Sequence, residues 1–110
     1  MKRSPSDLLQ GSVEMLILRA LAWQTMHGYA IARWIASRTD DVLSVETAAL
    51  YQALHRLERR GLVAASWGVS ENNRRAKYYE LTQAGRHALR AESETWRLYA
   101  SAVARVLDPA

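Results

Sequence analysis

Ser44-Val45-Glu46-Thr47-Ala48-Ala49-Leu50-Tyr51-Gln52-Ala53-Leu54-His55-Arg56-Leu57-Glu58-Arg59-Arg60-Gly61-Leu62-Val63 carries the pattern that decides the fold. Leu50, Leu54 and Leu57 recur at i, i+4 and i+7, so one face is apolar at helical period. Ser44 stands where an N-cap is expected, and Gly61 where the helix should stop. On the face opposite the leucines lie Ala48, Gln52, His55 and Arg59, flanked by Tyr51 and Arg56. That face begins with small residues, continues with hydrogen-bonding side chains and ends with cations. Small residues permit close approach to a DNA groove, Gln and Tyr can address bases or phosphates, and Arg neutralises the backbone.

Working outward toward the C-terminus, Leu62–Trp67 reads as a short strand and Ala76–Leu81 as a second. Between them, Gly68-Val69-Ser70-Glu71-Asn72-Asn73-Arg74-Arg75 has turn formers and then two cations. On the second strand the period of two puts Tyr79 and Leu81 on one face and Tyr78 on the other. A helix with a basic outer face, followed at once by a hairpin whose tip carries Arg74, Arg75 and Lys77, is the layout of a winged helix-turn-helix. The Ser44 helix is its recognition element.

Toward the N-terminus, residues 1–7 are polar, contain Pro5 and read as a mobile arm. Ser12–Trp23 is helical: Val13, Leu16, Ile17, Ala20 and Leu21 make one apolar face, and Met15, Leu18 and Ala22 a second. A helix apolar on two sides needs cover on two sides, one from its own domain and one from another element. Residues 24–26 read as a connection. His27-Gly28 opens a helix over Tyr29–Ser37 that ends at Thr39-Asp40-Asp41. At the other end, Thr82 caps a helix of roughly 25 residues that runs to about Leu107 before Asp108-Pro109. Gly85, Leu89, Glu92, Trp96, Tyr99, Val103 and Val106 repeat there at alternating steps of 4 and 3, the spacing of a coiled-coil seam. Arg90, Glu94 and Arg97 are spaced for ion pairs on its outer face. The expected fold is mainly α within an α+β class. Residues 1–81 form the winged domain, arm included, and 82–110 a C-terminal dimerisation helix. Met15, Leu18, Leu89, Trp96, Tyr99, Val103 and Val106 are the expected contacts to a second copy.

Composition agrees. A chain of 110 residues supports one modest core, and its 49% hydrophobic content is ordinary for a folded domain. The formal charge of +4 suits an anionic partner such as nucleic acid. There is no cysteine, which excludes disulfides, thiolate metal sites and thiol catalysis. Without a signal peptide or a long uncharged apolar run, a cytoplasmic protein without membrane contact is expected. His27, His55 and His87 have no metal-ligand spacing, and no nucleophile elbow or phosphate-cradling glycine loop is present. Neither a metal, a cofactor nor an enzyme activity is expected.

The chain also resembles a known family. Leu8-Leu9-Gln10-Gly11-Ser12, Met15-Leu16-Ile17-Leu18, His27-Gly28-Tyr29, Leu50-Tyr51-Gln52-Ala53-Leu54-His55-Arg56-Leu57-Glu58 and Gly61-Leu62-Val63 are similar to segments of PadR-family transcriptional regulators. So are Arg75-Ala76-Lys77-Tyr78-Tyr79 and Leu81-Thr82-Gln83-Ala84-Gly85, in the same order and at the same spacings. The single C-terminal helix resembles the short branch, and Trp67–Arg75 the type expanded in acidobacteria. The resemblance implies a bacterial homodimeric winged-helix repressor, with recognition helix and wing on double-stranded operator DNA and the last helix at the dimer interface. Gln52 departs from the proline that many relatives have after the recognition-helix tyrosine.

The residues expected at DNA are Tyr29, Thr47, Ala48, Tyr51, Gln52, Arg56, Arg74, Arg75 and Lys77. Tyr51 suits a phosphate or base contact better than packing. Gln52 either reads a base or faces solvent. Tyr29 either reaches a phosphate or packs. Arg56 is assigned to a phosphate and Arg59 to solvent. Trp96 has two readings: plain dimer core, or a platform for a small planar aromatic effector with Tyr99, Met15 and Leu18 beside it. The resemblance supplies the second, since some short relatives bind flat aromatic cations at the dimer centre. Trp23, Trp34 and Trp67 read as packing residues. The alternative function is a winged-helix module that binds protein rather than DNA, separable by salt-dependent DNA binding.

Overall fold

The computed structural model describes residues 4–109. A 3-10 segment, Pro5–Gly11, leads into α1 (Val13–Trp23). There follow β1 (Met26–His27), α2 (Gly28–Arg38), α3 (Thr47–Arg59), β2 (Val63–Val69), β3 (Arg75–Leu81) and α4 (Gln83–Leu107). The sheet is antiparallel with order β1-β3-β2, and the α2–α3 pair with the β2–β3 hairpin makes the winged helix-turn-helix. The expected α+β architecture is therefore present.

The core is the sum of the apolar faces read from the sequence. Ile17 and Leu18 of α1, Ile31 of α2 and Leu50, Leu54 and Leu57 of α3 are the largest fully buried side chains. Burying each contributes about 1.5–3 kcal/mol relative to exposure. Tyr79 and Leu81 close the core from β3, while Tyr78 lies on the other face and donates its hydroxyl to the Val69 carbonyl at 3.1 Å.

Gly61 ends α3 as its position suggests. It has φ +73°, its N–H donates to Glu58 O at 3.0 Å, and Leu62 N–H donates to Leu57 O at 2.9 Å. This is the six-to-one and five-to-two bonding of a Schellman stop, which satisfies the last carbonyls of the helix. Thr82 joins that stop to the next helix. Its Oγ1 donates to the Gly61 carbonyl at 2.8 Å and accepts from Gly85 N–H at 3.0 Å, capping α4. Gly85 is buried because α4 crosses the Leu62 backbone there, and a Cβ on residue 85 would collide with the Leu62 carbonyl oxygen.

Several boundaries differ from the sequence reading. Ser44 is not an N-cap: α3 starts at Thr47, Glu46 holds the cap position without a side-chain bond, and Ser44 N–H donates instead to Ser6 Oγ at 2.9 Å. Leu43 and Val45 pack on the core, which keeps this approach outside the helix. Met26, expected in the connection, and His27, expected to open the next helix, form a short strand that fills the free edge of β3, Met26 opposite Tyr79 and His27 opposite Tyr78. α2 begins one residue earlier than expected, at Gly28, and His27 caps it by accepting Ala30 N–H on Nδ1 at 3.2 Å. Residues 1–3 of the expected arm lie outside the described residues. Its later part belongs to the 3-10 segment, where Leu9 is buried. Trp34 packs against the core as expected, but Trp23 and Trp67 are 65% and 59% exposed in the single chain.

α4 follows the expected span, and its 25 residues extend about 37 Å at the usual helical rise. Its first turns pack on the domain through Gly85, Ala88 and Leu89. Beyond them the apolar stripe has no cover: Trp96, Tyr99 and Val106 are 46%, 66% and 84% exposed. Leu18, expected at an interface, is instead buried in the chain's own core, and Met15 beside it is partly exposed. No ion pair links Glu94 to Arg90 or Arg97 among the described residues. Such exposed pairs gain little in water against the entropy of fixing two long side chains. Among the described residues, no helix is long and apolar enough to cross a membrane.

Candidate nucleic-acid interface

The outer face of α3 presents Thr47, Ala48, Tyr51, Gln52, His55 and Arg59 to solvent. Leu50, Ala53, Leu54 and Leu57 hold the opposite face in the core, so the helix is rigidly backed and its polar side is free. Tyr51 is the exception to a freely projecting side chain. Its ring lies against Gly28 at the start of α2, so that a Cβ there would come within 2.6 Å of the Tyr51 oxygen. The tyrosine is thus seated at the junction of the two helices of the helix-turn-helix, with 46% of its surface exposed. On α2, Tyr29 is 65% exposed, and Arg33 donates to its hydroxyl oxygen at 3.3 Å. That bond, the first of its causes, raises Arg33 above the ordinary guanidinium value, so it stays charged throughout.

Arg56 is held elsewhere. Its Nε donates to Glu14 of α1 at 2.7 Å, and Arg60 donates to the other oxygen of the same carboxylate at 3.0 Å. One acid on α1 thus clamps two arginines of the α3 C-terminal end. The Arg56 charge is therefore partly compensated within the chain. Arg59, assigned to solvent by the sequence, is the exposed arginine on the outer face. No sequence spacing pointed to Glu14, because it lies 42 residues from Arg56.

The hairpin tip spans Ser70–Arg74. Ser70 N–H donates to Arg74 O at 2.8 Å, Asn73 N–H donates to Ser70 O at 2.9 Å, and Asn73 adopts φ +59°. Asn tolerates this left-handed region better than most residues, which accounts for its place in the turn. Arg74 is at the tip. Arg75 is the first residue of β3, and its guanidinium lies 4.3 Å from the Trp67 ring centre. Lys77 is not at the tip as expected: it lies within β3 opposite Trp67 and donates to Glu58 of α3 at 3.2 Å. The period of two puts Lys77 on the same face of β3 as Arg75, Tyr79 and Leu81, and its ammonium lies 5.6 Å from the Tyr79 ring centre. The bond to Glu58, its leading cause, raises the Lys77 ammonium above its usual value. Burial, first among its causes, raises the Tyr79 phenol.

Between α2 and the hairpin runs a groove of about 1330 Å³, with Tyr29, Arg33, Tyr51, Trp67 and Tyr79 among its lining residues. The sequence reading missed it, although the i, i+4 pairs Tyr29–Arg33 and Trp34–Arg38 were visible as spacing. A second, smaller cavity of about 230 Å³ lies between α1, α3 and α4 and is lined by Met15 and Leu18, with Glu14, Arg60 and Glu92 among its other residues. Neither Trp96 nor Tyr99 lines it.

Comparison with known proteins agrees with this geometry. The model of the transcriptional regulator PadR-like family matches residues 17–91. Uncharacterized protein X of Lysinibacillus sphaericus is 30% identical over 91 residues, covering 83% of this chain and 84% of that protein. A transcriptional regulator from Clostridium thermocellum superposes with a TM-score of 0.84 at 29% identity, over 94% of this chain and 100% of that one. A PadR family transcriptional regulator from Eggerthella lenta superposes with a TM-score of 0.78 at 29% identity, over 94% and 88% of the two chains. The matched residues take in α2, α3, the whole hairpin and the start of α4, and with them the exposed recognition face and the wing, so the chain belongs to the PadR-like family of transcriptional regulators.

Proposed function

We propose that this protein is a cytoplasmic homodimeric repressor that places two copies of α3 in successive major grooves of a pseudo-palindromic operator. The observation that carries the reading is a pairing of two surfaces on one chain. The outer face of α3 and the tip arginines of the wing stand exposed, and α4 has an apolar stripe without cover. Two-fold pairing of α4, with Met15, Leu89, Trp96, Tyr99, Val103 and Val106 at the contact, removes that stripe from water and duplicates the recognition face. The two half-sites then lie about one helical turn apart, roughly 34 Å.

Within each half-site, Thr47, Ala48 and Gln52 address base edges from the first turns of α3. Tyr29, Tyr51, Arg74 and Arg75 hold phosphates, which supply most of the affinity. Arg56 contributes only in competition with Glu14, and Lys77 in competition with Glu58. Two Trp96 rings meeting across the dimer axis, with Tyr99 and Met15 near, form a platform for a planar aromatic effector. Its binding shifts the angle between the winged domains and weakens the fit to the operator.

Fluorescence anisotropy against DNA from upstream of the protein's own gene, beside random duplex and across a salt series, tests the reading. Tight, salt-sensitive binding to the upstream fragment that Gln52→Ala relaxes in sequence preference supports it. Equal weak binding to both duplexes, with a monomer in sedimentation, overturns it in favour of a winged helix that serves a protein partner.

A further inference from the structure

One hydroxyl ties the end of the recognition helix to the start of the last helix. Thr82 Oγ1 donates to the Gly61 carbonyl at 2.8 Å and accepts the Gly85 N–H at 3.0 Å, while Thr82 N–H donates to the Leu62 carbonyl at 3.2 Å. Gly61 is the stop of α3, and Gly85 lies in the first turn of α4. A hydroxyl has one proton to give and lone pairs to accept with, so both of its bonds form at once and fix the two helix ends against each other. Gly85 adds a contact without a bond, since α4 presses there on the Leu62 backbone. Among the described residues, no other side-chain hydrogen bond joins α3 or its stop to α4. After Ala88 and Leu89 pack on the core, Trp96, Leu98 and Tyr99 stand exposed. The direction in which α4 projects is therefore set within its first two turns.

We propose, resting on the homodimeric operator reading above, that Thr82 sets which half-site spacing the dimer accepts. It is a positioning residue: it lies at the base of the hairpin, at the other end of β3 from the tip arginines, and acts by holding α3 at a fixed angle to α4. The rest of α4 is a lever on that joint. Trp96 and Val103 lie about 15–30 Å beyond Gly85 at the usual helical rise, so a rotation of about 10° at the joint moves them by roughly 3–5 Å. One base-pair step is about 3.4 Å. The two-fold axis applies each rotation twice, so a loosened joint blurs the separation of the two α3 helices by more than one such step. This gives Thr82 a signature of its own. Losing a base contact changes the half-site sequence that is read, and losing a phosphate contact weakens every duplex alike. Losing the joint leaves the half-site sequence intact and relaxes the spacing.

Thr82→Val keeps the branched shape and removes both hydroxyl bonds, and Thr82→Ala removes them without the branch, so the result does not hang on one variant. Thr82→Ser keeps both bonds. Ile17→Val, in the core, is the control for lost stability alone. Each protein selects from a duplex library of randomised sequence, and the enriched sites are aligned for half-site sequence and spacing. Wild type, Thr82→Ser and Ile17→Val should enrich one spacing. Thr82→Val should enrich the same half-sites with spacings spread by about one base pair to either side. A second measurement needs no DNA. The chain has no cysteine, so Arg59→Cys and Ser101→Cys, both at exposed positions, carry spin labels on α3 and α4. With doubly labelled protein diluted into unlabelled protein, pulsed dipolar spectroscopy reads the α3–α4 distance within one chain. Thr82→Val should widen that distribution by about 3 Å or more, and Thr82→Ser should not. An unchanged distribution in Thr82→Val and Thr82→Ala overturns the proposal. A widened distribution with a spacing as sharp as that of wild type overturns the role in spacing. Wild-type protein that enriches no paired half-sites overturns the operator reading and the spacing role with it, while the distance still decides whether Thr82 fixes the angle.

Discussion

Tyr51 and Gly28 share one space: a Cβ built on residue 28 would lie 2.6 Å from the Tyr51 hydroxyl oxygen and 2.7 Å from its ring carbon Cζ. Glycine at the start of α2 is therefore what lets the recognition-helix tyrosine lie in its seat. Gly28→Ala should push the ring outward rather than unfold the domain, since Tyr51 is 46% exposed and has room to move. The expected cost is about 1–3 kcal/mol, as for other overpacked sites, with a clear loss of DNA affinity. Adding Tyr51→Ala should restore the urea midpoint but not the affinity. A Gly28→Ala protein with wild-type stability and DNA binding would show that the contact is idle.

Glu14 restrains Arg56 and Arg60 at once. Glu14→Ala should change stability little, because ion pairs this exposed contribute about 0–1 kcal/mol. Its effect should fall on DNA instead: the freed arginines raise affinity for random duplex and steepen the salt dependence. Operator preference, measured as the ratio of the two affinities, should decline. An unchanged affinity for random duplex would place these arginines away from the DNA.

Gly85 offers a test in which two effects have opposite signs. In an exposed helix, Gly→Ala stabilises by about 1 kcal/mol. At position 85 the new methyl group meets the Leu62 carbonyl, a backbone atom that cannot move aside cheaply. Gly85→Ala should therefore destabilise, by roughly 1–3 kcal/mol, and lower the midpoint of chemical unfolding. A gain in stability would mean that α4 can shift off the Leu62 backbone at no cost.

Alkaline pH should weaken the fold through β3. Lys77 is raised by its bond to Glu58, and Tyr79 is raised by burial. Both folded values lie above the unfolded ones, so the associated stability is complete below about pH 10 and is lost as pH rises through the folded values. The urea midpoint should hold between about pH 7 and 9 and fall above about pH 10. Tyr79→Phe should flatten part of that fall, because its ring stays buried without a proton to lose. An equal fall in the variant would assign the alkaline sensitivity to other groups.

The elements that depend on local pattern were legible before any coordinates. The leucine face of α3, the alternation of β3, the Gly61 stop and the Thr82 cap each follow from a period or a residue type within a few positions, and local backbone geometry enforces them. The exposed stripe of α4 was legible for the same reason. What tertiary structure alone decided are the meetings of residues far apart in the chain. Glu14 captures Arg56 across 42 positions, Ser6 meets Ser44 across 38, and Lys77 turns to Glu58 instead of standing at the wing tip. Leu18 likewise had two helix faces open to it, and only the packing of α1 on its own domain chose the core. Side-chain period states which residues share a face; which partner that face meets depends on how helices and sheet cross, and no spacing within one element contains that information.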